Sequence, residues 1–151
     1  MAVAGDPRGP EPSPRLLCIM QDLEIKGRAR IQKYGFRIHH YYPETRELGF
    51  YEDWKIDHAG PYSDDLADDL DGAIRGGYVR EFEDAYSGTG LKRYSITGEG
   101  RVSYDRIKRN ETVRKIRRFL EQMEGQSLMA ILRQINREYL VHAGSSQIRK
   151  A

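Results

Sequence analysis

The sequence contains one cysteine and no long apolar run, and these two absences exclude several classes of protein. Cys18 has no second cysteine with which to form an internal disulfide, so a small disulfide-stapled fold is excluded. No stretch approaches the roughly 18 consecutive apolar residues of a membrane-spanning helix, and the first residues lack the apolar core of a secretory signal. We therefore expect a cytoplasmic protein in which Cys18, inside an apolar run, is a buried and inert thiol.

A large excess of one charge is also missing. The formal net charge is only +2 although 32% of the residues are charged, so net charge by itself does not indicate binding to nucleic acid. Four of the six prolines lie in residues 1–14, with little apolar sequence around them. The 151 residues are enough for one domain with a real core. We predict a disordered tail over 1–14, a domain over 15–110 and a helical extension over 111–151.

The best-defined segment is a helix that begins at Ser63 and ends before two glycines. Ser63 is a typical N-cap residue, and it follows a Gly60-Pro61 pair that predicts a turn. The apolar residues of one face follow at helical spacing, and they are Leu66, Leu70, Ala73 and Ile74. Gly76 and Gly77 then predict a left-handed stop.

The order of the predicted elements indicates the fold class. In chain order they are helix 15–25, helix 28–42, a short strand within 50–58, the helix from Ser63, strand 78–82, a glycine-containing loop over 83–91, strand 92–96 and a helix capped by Thr97. Helix, strand, loop, strand and helix is the order of a winged helix-turn-helix domain with a two-stranded wing. We therefore predict a mostly helical α+β protein of this type with additional C-terminal helices.

The C-terminal part carries two apolar stripes that need a buried surface. Val113, Ile116, Leu120 and Met123 have a heptad-like spacing. Ser127 can cap a last helix with a similar apolar face. These helices either fold back on the domain or pair with a second copy, so a homodimer through the C-terminal helices is one of two predictions.

A series of short motifs runs through the region 16–105. In chain order they are Gly27-Arg28, Ile31-Gln32-Lys33-Tyr34, Gly60-Pro61-Tyr62-Ser63, Leu66 with Leu70, Gly77-Tyr78-Val79, Tyr94-Ser95-Ile96-Thr97 and Gly100. On these motifs the chain resembles the YwgA-like family of small bacterial and archaeal proteins. More remotely it resembles phage-associated antitoxin-type proteins that share the Gly-Pro helix start. The resemblance implies a winged-helix fold and DNA-linked regulation, and it implies no catalytic residues.

The helix before the predicted wing is acidic, although this is the helix that enters the major groove in an ordinary winged helix. Its predicted outward carboxylates are Asp64, Asp65, Asp68, Asp69 and Asp71. Affinity for DNA comes largely from cations that neutralise phosphates, so these carboxylates would repel a duplex. Three interpretations of this face remain: a solvated surface, the binding site of a partner protein with a basic surface, or a direct contact with DNA.

Positive charge is concentrated in two other places. The candidate nucleic-acid contacts are Arg28, Arg30, Lys33 and Arg37 in the second helix and Lys92 and Arg93 at the return of the wing. A second basic stretch covers 101–118, where the charges surround the heptad-like seam. Tyr41, Tyr42, Tyr51 and Trp54 could form a stacking surface for single strands, although aromatic residues at this density more often belong to a core.

No pattern in the sequence indicates catalysis. His39 and His40 are adjacent and lack the accompanying ligands of a metal site. Gly88 to Gly90 lacks the Gly-Lys-Ser/Thr ending of a phosphate loop. The capping role of Ser63 accounts for that residue without a nucleophile, even with His58 nearby. We predict no enzyme activity, no metal and no cofactor.

Two functional hypotheses follow. The first is a non-enzymatic winged-helix protein that binds double-stranded DNA and regulates transcription or another DNA-linked process. The alternative is a protein interaction module that uses the acidic helix 63–75 and makes no direct contact with DNA.

Overall fold

The computed structural model describes residues 10–57, 60–83 and 90–140. The fold is α+β and mostly helical, with two small antiparallel sheets. The helices are α1 (Pro14–Met20), α2 (Arg28–Tyr41), α3 (Asp64–Arg75), α4 (Gly98–Asp105), α5 (Glu111–Glu124) and α6 (Leu128–Ile135), with a 3₁₀ helix at Pro43–Leu48 and a π-helical turn at Asn136–Leu140. The strands are β1 (Ile25–Lys26), β2 (Trp54–Asp57), β3 (Gly60–Ser63), β4 (Val79–Glu83) and β5 (Lys92–Ile96).

The first sheet contains a strand that the sequence analysis missed. Its order is β1-β5-β4, with Ile25 opposite Tyr94 and Tyr94 opposite Glu81. The sequence analysis extended the first helix to residue 25, but α1 ends at Met20 because Gln21 adopts a left-handed φ of 43°. A strand of two residues has no periodicity of its own, so only its pairing with β5 reveals it.

The second sheet corrects the predicted Gly60-Pro61 turn. Residues 60–63 form β3, which pairs with β2 from Trp54 opposite Ser63 to Asp57 opposite Gly60. Gly60 has a φ of 105°, a conformation that glycine adopts without strain. The pair therefore belongs to a hairpin arm, and the two residues between the arms, 58 and 59, lie outside the described part of the chain.

Helix α3 forms as its local signals predict. The Ser63 Oγ accepts a hydrogen bond from the Leu66 N–H at 3.0 Å, and Leu66, Leu70 and Ala73 are buried. Gly77, with a φ of 82°, supplies the left-handed stop. The N-cap is thus confirmed, as is the left-handed stop at Gly77, whereas Gly76 keeps a right-handed conformation. The fourth residue of the predicted stripe, Ile74, is partly buried against the core.

Helix α2 lies at the centre of the fold. Gly35 has no side chain, and a Cβ there would lie 2.9 Å from Trp54 Cη2 and 3.0 Å from Leu66 Cδ2. The glycine that weakens the helix intrinsically therefore allows its neighbours to approach closely. Gln32 makes two hydrogen bonds to the backbone of Ser63, donating to its carbonyl at 3.0 Å and accepting from its N–H at 2.8 Å. This pair of bonds positions the start of α3 on α2.

The C-terminal helices fold back on the same chain. Val113, Ile116, Leu120 and Met123 are at most 1% exposed and belong to the buried cluster that also contains α1. The Gln21 side chain donates to the Val113 carbonyl at 3.0 Å, which fastens α5 to the end of α1. The heptad-like stripe is therefore buried within the chain itself, as one of the two alternatives predicts, and a homodimer stays a prediction.

The described part of the chain begins at residue 10, within the segment 1–14 that the sequence predicts to be a disordered tail. Ser13 caps α1, and Pro14 is its first residue. Arg106 donates to the Glu11 carboxylate at 2.8 Å, and Ser103 donates to it at 2.5 Å. Residues 1–9 lie outside the described part of the chain. Among the described helices, none has the length and apolarity that a membrane crossing requires.

Candidate functional site

The exposed side of α3 keeps part of its predicted acidic character. Asp65 and Asp68 are exposed to solvent. Asp64 is also exposed and forms an ion pair with Lys55 of β2. The Asp53 carboxylate lies at the same end of the helix, where it accepts from the Ser63 hydroxyl and from the Asp65 N–H. Carboxylates are favourable here because this is the positive end of the helix dipole.

Asp69 corrects the prediction that five aspartates point outward. Its carboxylate accepts from Arg15 Nε at 2.8 Å, from the Tyr51 hydroxyl at 2.7 Å and from the Ser13 hydroxyl at 3.0 Å. Burial, followed by the charge of Asp69, raises the pKa of Tyr51 well above its usual range, so its hydroxyl remains a donor. Asp69 therefore connects α3 to the N-terminal helix.

Asp71 is half-exposed and pairs with a cation of the predicted nucleic-acid cluster. Arg28 donates to Asp71 at 2.8 Å, to Glu81 at 3.2 Å and to the Tyr94 hydroxyl at 3.0 Å. Arg28 therefore bridges α3 and the sheet. Its side chain is 43% exposed, but two carboxylates already neutralise its charge.

The other three cations of that cluster are buried, which corrects the expectation of an exposed basic face. Arg30, Lys33 and Arg37 are 9%, 3% and 6% exposed. Arg30 donates to the Met123 carbonyl at 3.2 Å, where its charge suits the negative end of α5. Lys33 donates to the Pro61 carbonyl at 3.0 Å. Arg30 and Lys33 thus satisfy backbone carbonyls inside the protein, and none of the three buried cations is placed to contact phosphates.

Arg37 is the most extensively bonded of the three. Its guanidinium donates to Gln134 and Glu138 at 3.0 Å each and to the Tyr139 hydroxyl at 3.4 Å. It also lies 5.5 Å from the ring centre of Tyr41. Arg37 therefore fastens the helical segment 134–139 to α2.

Lys92 and Arg93 lie on β5, next to the predicted wing, whose residues 84–89 are outside the described part of the chain. Arg93 pairs with Glu24 at 2.7 Å, and Lys92 lies 3.8 Å from Glu81. Since Lys26 is directly opposite Arg93, both side chains emerge on the outer face of the sheet. In the sequence Lys26 belongs to the same basic cluster as Arg28, Arg30, Lys33 and Arg37, but its position on the sheet beside Arg93 was not predicted because its strand was not predicted.

A groove follows the acidic helix. It has a volume of about 570 Å³ and lies between residues 10–13 and α3, where Glu11, Asp68, Asp69 and Arg75 line it. Among the carboxylates that line the groove, Asp68 is exposed and forms no hydrogen bond or ion pair with the described residues. The groove is a concave and predominantly acidic surface that local sequence patterns do not reveal, because residues 10–13 reach it from outside the helix.

A second, basic groove lies on α5. Tyr42, Lys115, Arg118, Phe119 and Gln122 enclose about 300 Å³. Lys115 and Arg118 are exposed, on the side of α5 opposite its buried stripe. The basic stretch is visible in the sequence, but the packing of Tyr42 beside it is not, because the two segments are far apart in the chain.

The described residues provide few reactive groups. Burial raises the pKa of the Cys18 thiol to about 12, which leaves it protonated and unreactive. Burial also lowers the pKa of His39, which packs against Trp54. Within the described ranges no three His, Cys, Asp or Glu side chains are arranged to hold a metal ion. His58 lies outside those ranges, and the Ser63 hydroxyl is engaged in capping.

Comparison with known proteins adds no relative: no protein-family model, no curated protein and no solved structure matches the chain. The likeness to the YwgA-like family therefore stays a prediction from the motifs.

Proposed function

We propose that this protein is a non-enzymatic winged-helix interaction module whose acidic helix α3 binds a partner protein with a basic surface. One observation carries the proposal. Asp65 and Asp68 face solvent, with Asp68 in a groove, on the helix that would read DNA in an ordinary winged helix. A groove of about 570 Å³ is large enough to receive a lysine or arginine side chain of a partner.

The order and pairing of the elements support the winged-helix part of the proposal. Strand β1 lies between α1 and α2 and pairs with β5, which in turn pairs with β4 after α3. This is the arrangement in which a wing connects β4 to β5. The β2–β3 hairpin, inserted between α2 and α3, separates this chain from an ordinary helix-turn-helix, where a short turn joins the two helices.

Charge favours a basic protein over DNA at α3. A duplex brings closely spaced phosphates to this helix, and exposed carboxylates would repel them. Lysine and arginine side chains of a protein can instead form charge-assisted hydrogen bonds with the same carboxylates. The proposed partner-binding carboxylates are therefore Asp65 and Asp68, with Asp64 able to exchange its ion pair with Lys55 for one with a partner.

Double-stranded DNA is a second candidate partner, and it would bind on a different face. The outer face of the first sheet presents Lys26 and Arg80, both exposed, together with Arg93. These cations suit contacts to phosphates without base reading. A protein that binds DNA in this way would act as a regulator of transcription or of another DNA-linked process.

Fluorescence anisotropy with a labelled lysine- and arginine-rich peptide tests the first candidate. Wild-type protein is expected to bind the peptide in a salt-dependent manner, and D65N/D68N is expected to weaken binding roughly tenfold, because two charge-assisted contacts are lost. The matched control is E44Q/E47Q, which removes two exposed carboxylates of the 3₁₀ helix. Equal affinity of D65N/D68N and wild type would overturn the proposal.

The same measurement with a labelled DNA duplex tests the second candidate. If duplex DNA binds on the sheet, K26E/R80E abolishes binding while D65N/D68N preserves or strengthens it. No binding at low ionic strength would remove this candidate and leave the protein-binding proposal intact.

A further inference from the structure

The aromatic residues beside the basic groove of α5 form an ordered platform. Phe119 lies between two tyrosines, with ring centres 5.4 Å from Tyr41 and 5.5 Å from Tyr42, and both contacts are edge-to-face. Tyr41 is 42% exposed, although the sequence analysis expected such residues in the core. Tyr51, by contrast, is fully buried. The four aromatic residues that the sequence offers as a stacking surface are thus separated by the fold, with Tyr41 and Tyr42 at this surface and Tyr51 in the core.

Arg37 supports the platform from inside the protein. Its guanidinium lies 5.3 Å from the ring centre of Phe119 and 5.5 Å from that of Tyr41. Because its side chain is only 7% exposed and is bonded to Glu138, it holds these two rings in place without reaching solvent. The rings are therefore pre-organised for a ligand on their outer side.

Three cations lie on the exposed side of α5, and two of them, Lys115 and Arg118, line the groove beside the platform. Arg114, Lys115 and Arg118 are exposed, and no described ion pair engages them within the described part of the chain. Residues three and four apart on a helix have Cβ atoms about 5–6 Å apart, so these charges form one compact patch. Arg118 is close enough to the platform for its charge to influence the pKa of Tyr42. Burial raises the pKa of Tyr42, and the nearby Arg118 charge opposes that rise.

We infer that this face, formed by Tyr41, Tyr42, Phe119, Lys115 and Arg118, binds single-stranded nucleic acid. The cations contact the phosphates, and unpaired bases stack on the aromatic side chains at the rim of the groove. Gln122 lines the same groove, and its amide can both donate to and accept from a base edge. A duplex fits this face less well, because its bases are stacked on one another and are not free to meet the rings.

This inference is independent of the proposed function. Helix α3 and the outer face of the first sheet contribute none of the residues involved. Loss of peptide binding in D65N/D68N, or of duplex binding in K26E/R80E, therefore has no bearing on it. The two sets of variants distinguish the failure of one proposal from the failure of the other.

The test is anisotropy with a labelled oligothymidylate of about 10 nucleotides, within the site size of known single-strand binders. We expect K115E/R118E to weaken binding roughly tenfold or more, because two phosphate contacts become repulsive. We expect Y41A to weaken it about fivefold or more through the loss of one stacking contact. A duplex of the same sequence is expected to bind more weakly than the single strand.

Two controls separate a built site from non-specific attraction. R101E/R133E changes the net charge by the same amount at exposed positions that do not line the groove, and it is expected to retain most of the affinity. An abasic oligonucleotide has the phosphates without the bases, and it is expected to bind several-fold more weakly. Circular dichroism establishes that each variant is folded. Equal binding of the abasic strand, or an equal loss in R101E/R133E and K115E/R118E, would overturn the inference.

Discussion

The basic stretch 28–37 and the acidic stretch 64–71 are both rich in charge of one sign, but the fold treats them in opposite ways. Three of the four cations in the first stretch are buried. In the second stretch, Asp64, Asp65 and Asp68 remain exposed, and Asp69 is enclosed by three donors. A run of like charge in a sequence therefore does not by itself mark a surface.

The difference follows from where the two helices lie. Helix α2 is covered on several sides, by α1, β3 and α6 among others, so its long cationic side chains end inside the protein. There they donate to carbonyls and carboxylates that would otherwise lack partners. Helix α3 has one buried stripe, and its short aspartate side chains cannot reach far beyond the opposite face. Charge on a central helix thus holds the fold together, while charge on a peripheral helix stays available to partners.

The largest effect is expected from Arg37. Replacement by alanine removes three donated hydrogen bonds, one of them to the buried Tyr139, together with a nearly buried guanidinium, at a cost of about 2–3 kcal/mol in the free energy of unfolding. Urea denaturation measures this cost. The exposed Arg118→Ala variant serves as the control and is expected to change stability by less than about 0.5 kcal/mol. Equal losses of unfolding free energy in Arg37→Ala and Arg118→Ala would contradict the view that charge on the central helix stabilises the fold more than charge on an exposed face.

An intermediate effect is expected from Ser63, the N-cap of the acidic helix. Its hydroxyl accepts from Leu66 N–H and donates to Asp53 in a fully buried position, so Ser63→Ala is expected to lose about 1–2 kcal/mol. The exposed Asp68→Asn is expected to change stability by less than about 0.5 kcal/mol. Ser127→Ala, at the exposed N-cap of α6, is the matched control and is expected to lose less than Ser63→Ala. If Asp68→Asn costs as much as Ser63→Ala, the acidic face is structural.

The smallest effect is expected from Glu81, which accepts from Arg28 where that residue also pairs with Asp71 of the acidic stretch. The Tyr94 hydrogen bond, followed by that from Arg28, lowers the pKa of Glu81. Ionised Glu81 therefore stabilises the fold above its unfolded pKa of about 4.3, and this contribution is lost as the pH falls through the lower folded pKa. Because the Arg28 pairs are partly exposed, the contribution at neutral pH is about 1 kcal/mol or less.

Unfolding measured across acidic pH checks this contribution. Glu81→Gln is expected to flatten the decline of stability below about pH 4.3. Arg28→Gln is expected to flatten this decline less, because the hydrogen bond from Tyr94 remains. An unchanged decline in Glu81→Gln would show that other carboxylates dominate the acid response.

Local signals in the sequence were sufficient for α3 and for β5. Ser63, the apolar stripe and Gly77 each act within a few residues of the helix that they define, and Lys92–Ile96 was predicted with its observed bounds. The Thr97 cap was also predicted, and its hydroxyl accepts from the Gly100 N–H at 3.2 Å. Such features depend on backbone geometry that neighbouring residues decide.

The parts of the fold and of the candidate site that were not predicted depend on contacts between segments that are distant in the sequence. Strand β1 exists because Ile25 and Lys26 meet β5, and β3 exists because Gly60–Ser63 meets β2. The burial of the cations could not be predicted either, because Arg30 and Arg37 find their acceptors 93 to 102 residues further along the chain. For the same reason the platform beside α5 became visible only when Tyr42 and Phe119 were brought together.

The long sequence separation of the Arg37 contacts has a consequence for the chain during its synthesis. At a translation rate of about 5–20 residues per second, the roughly 100 residues that separate Arg37 from its acceptors take about 5–20 seconds to appear. Throughout that interval Arg37 is hydrated, and one flank of α2 stays uncovered. The central helix α2 therefore leaves the ribosome well before α6, and it reaches its native surroundings only after that later helix has been made.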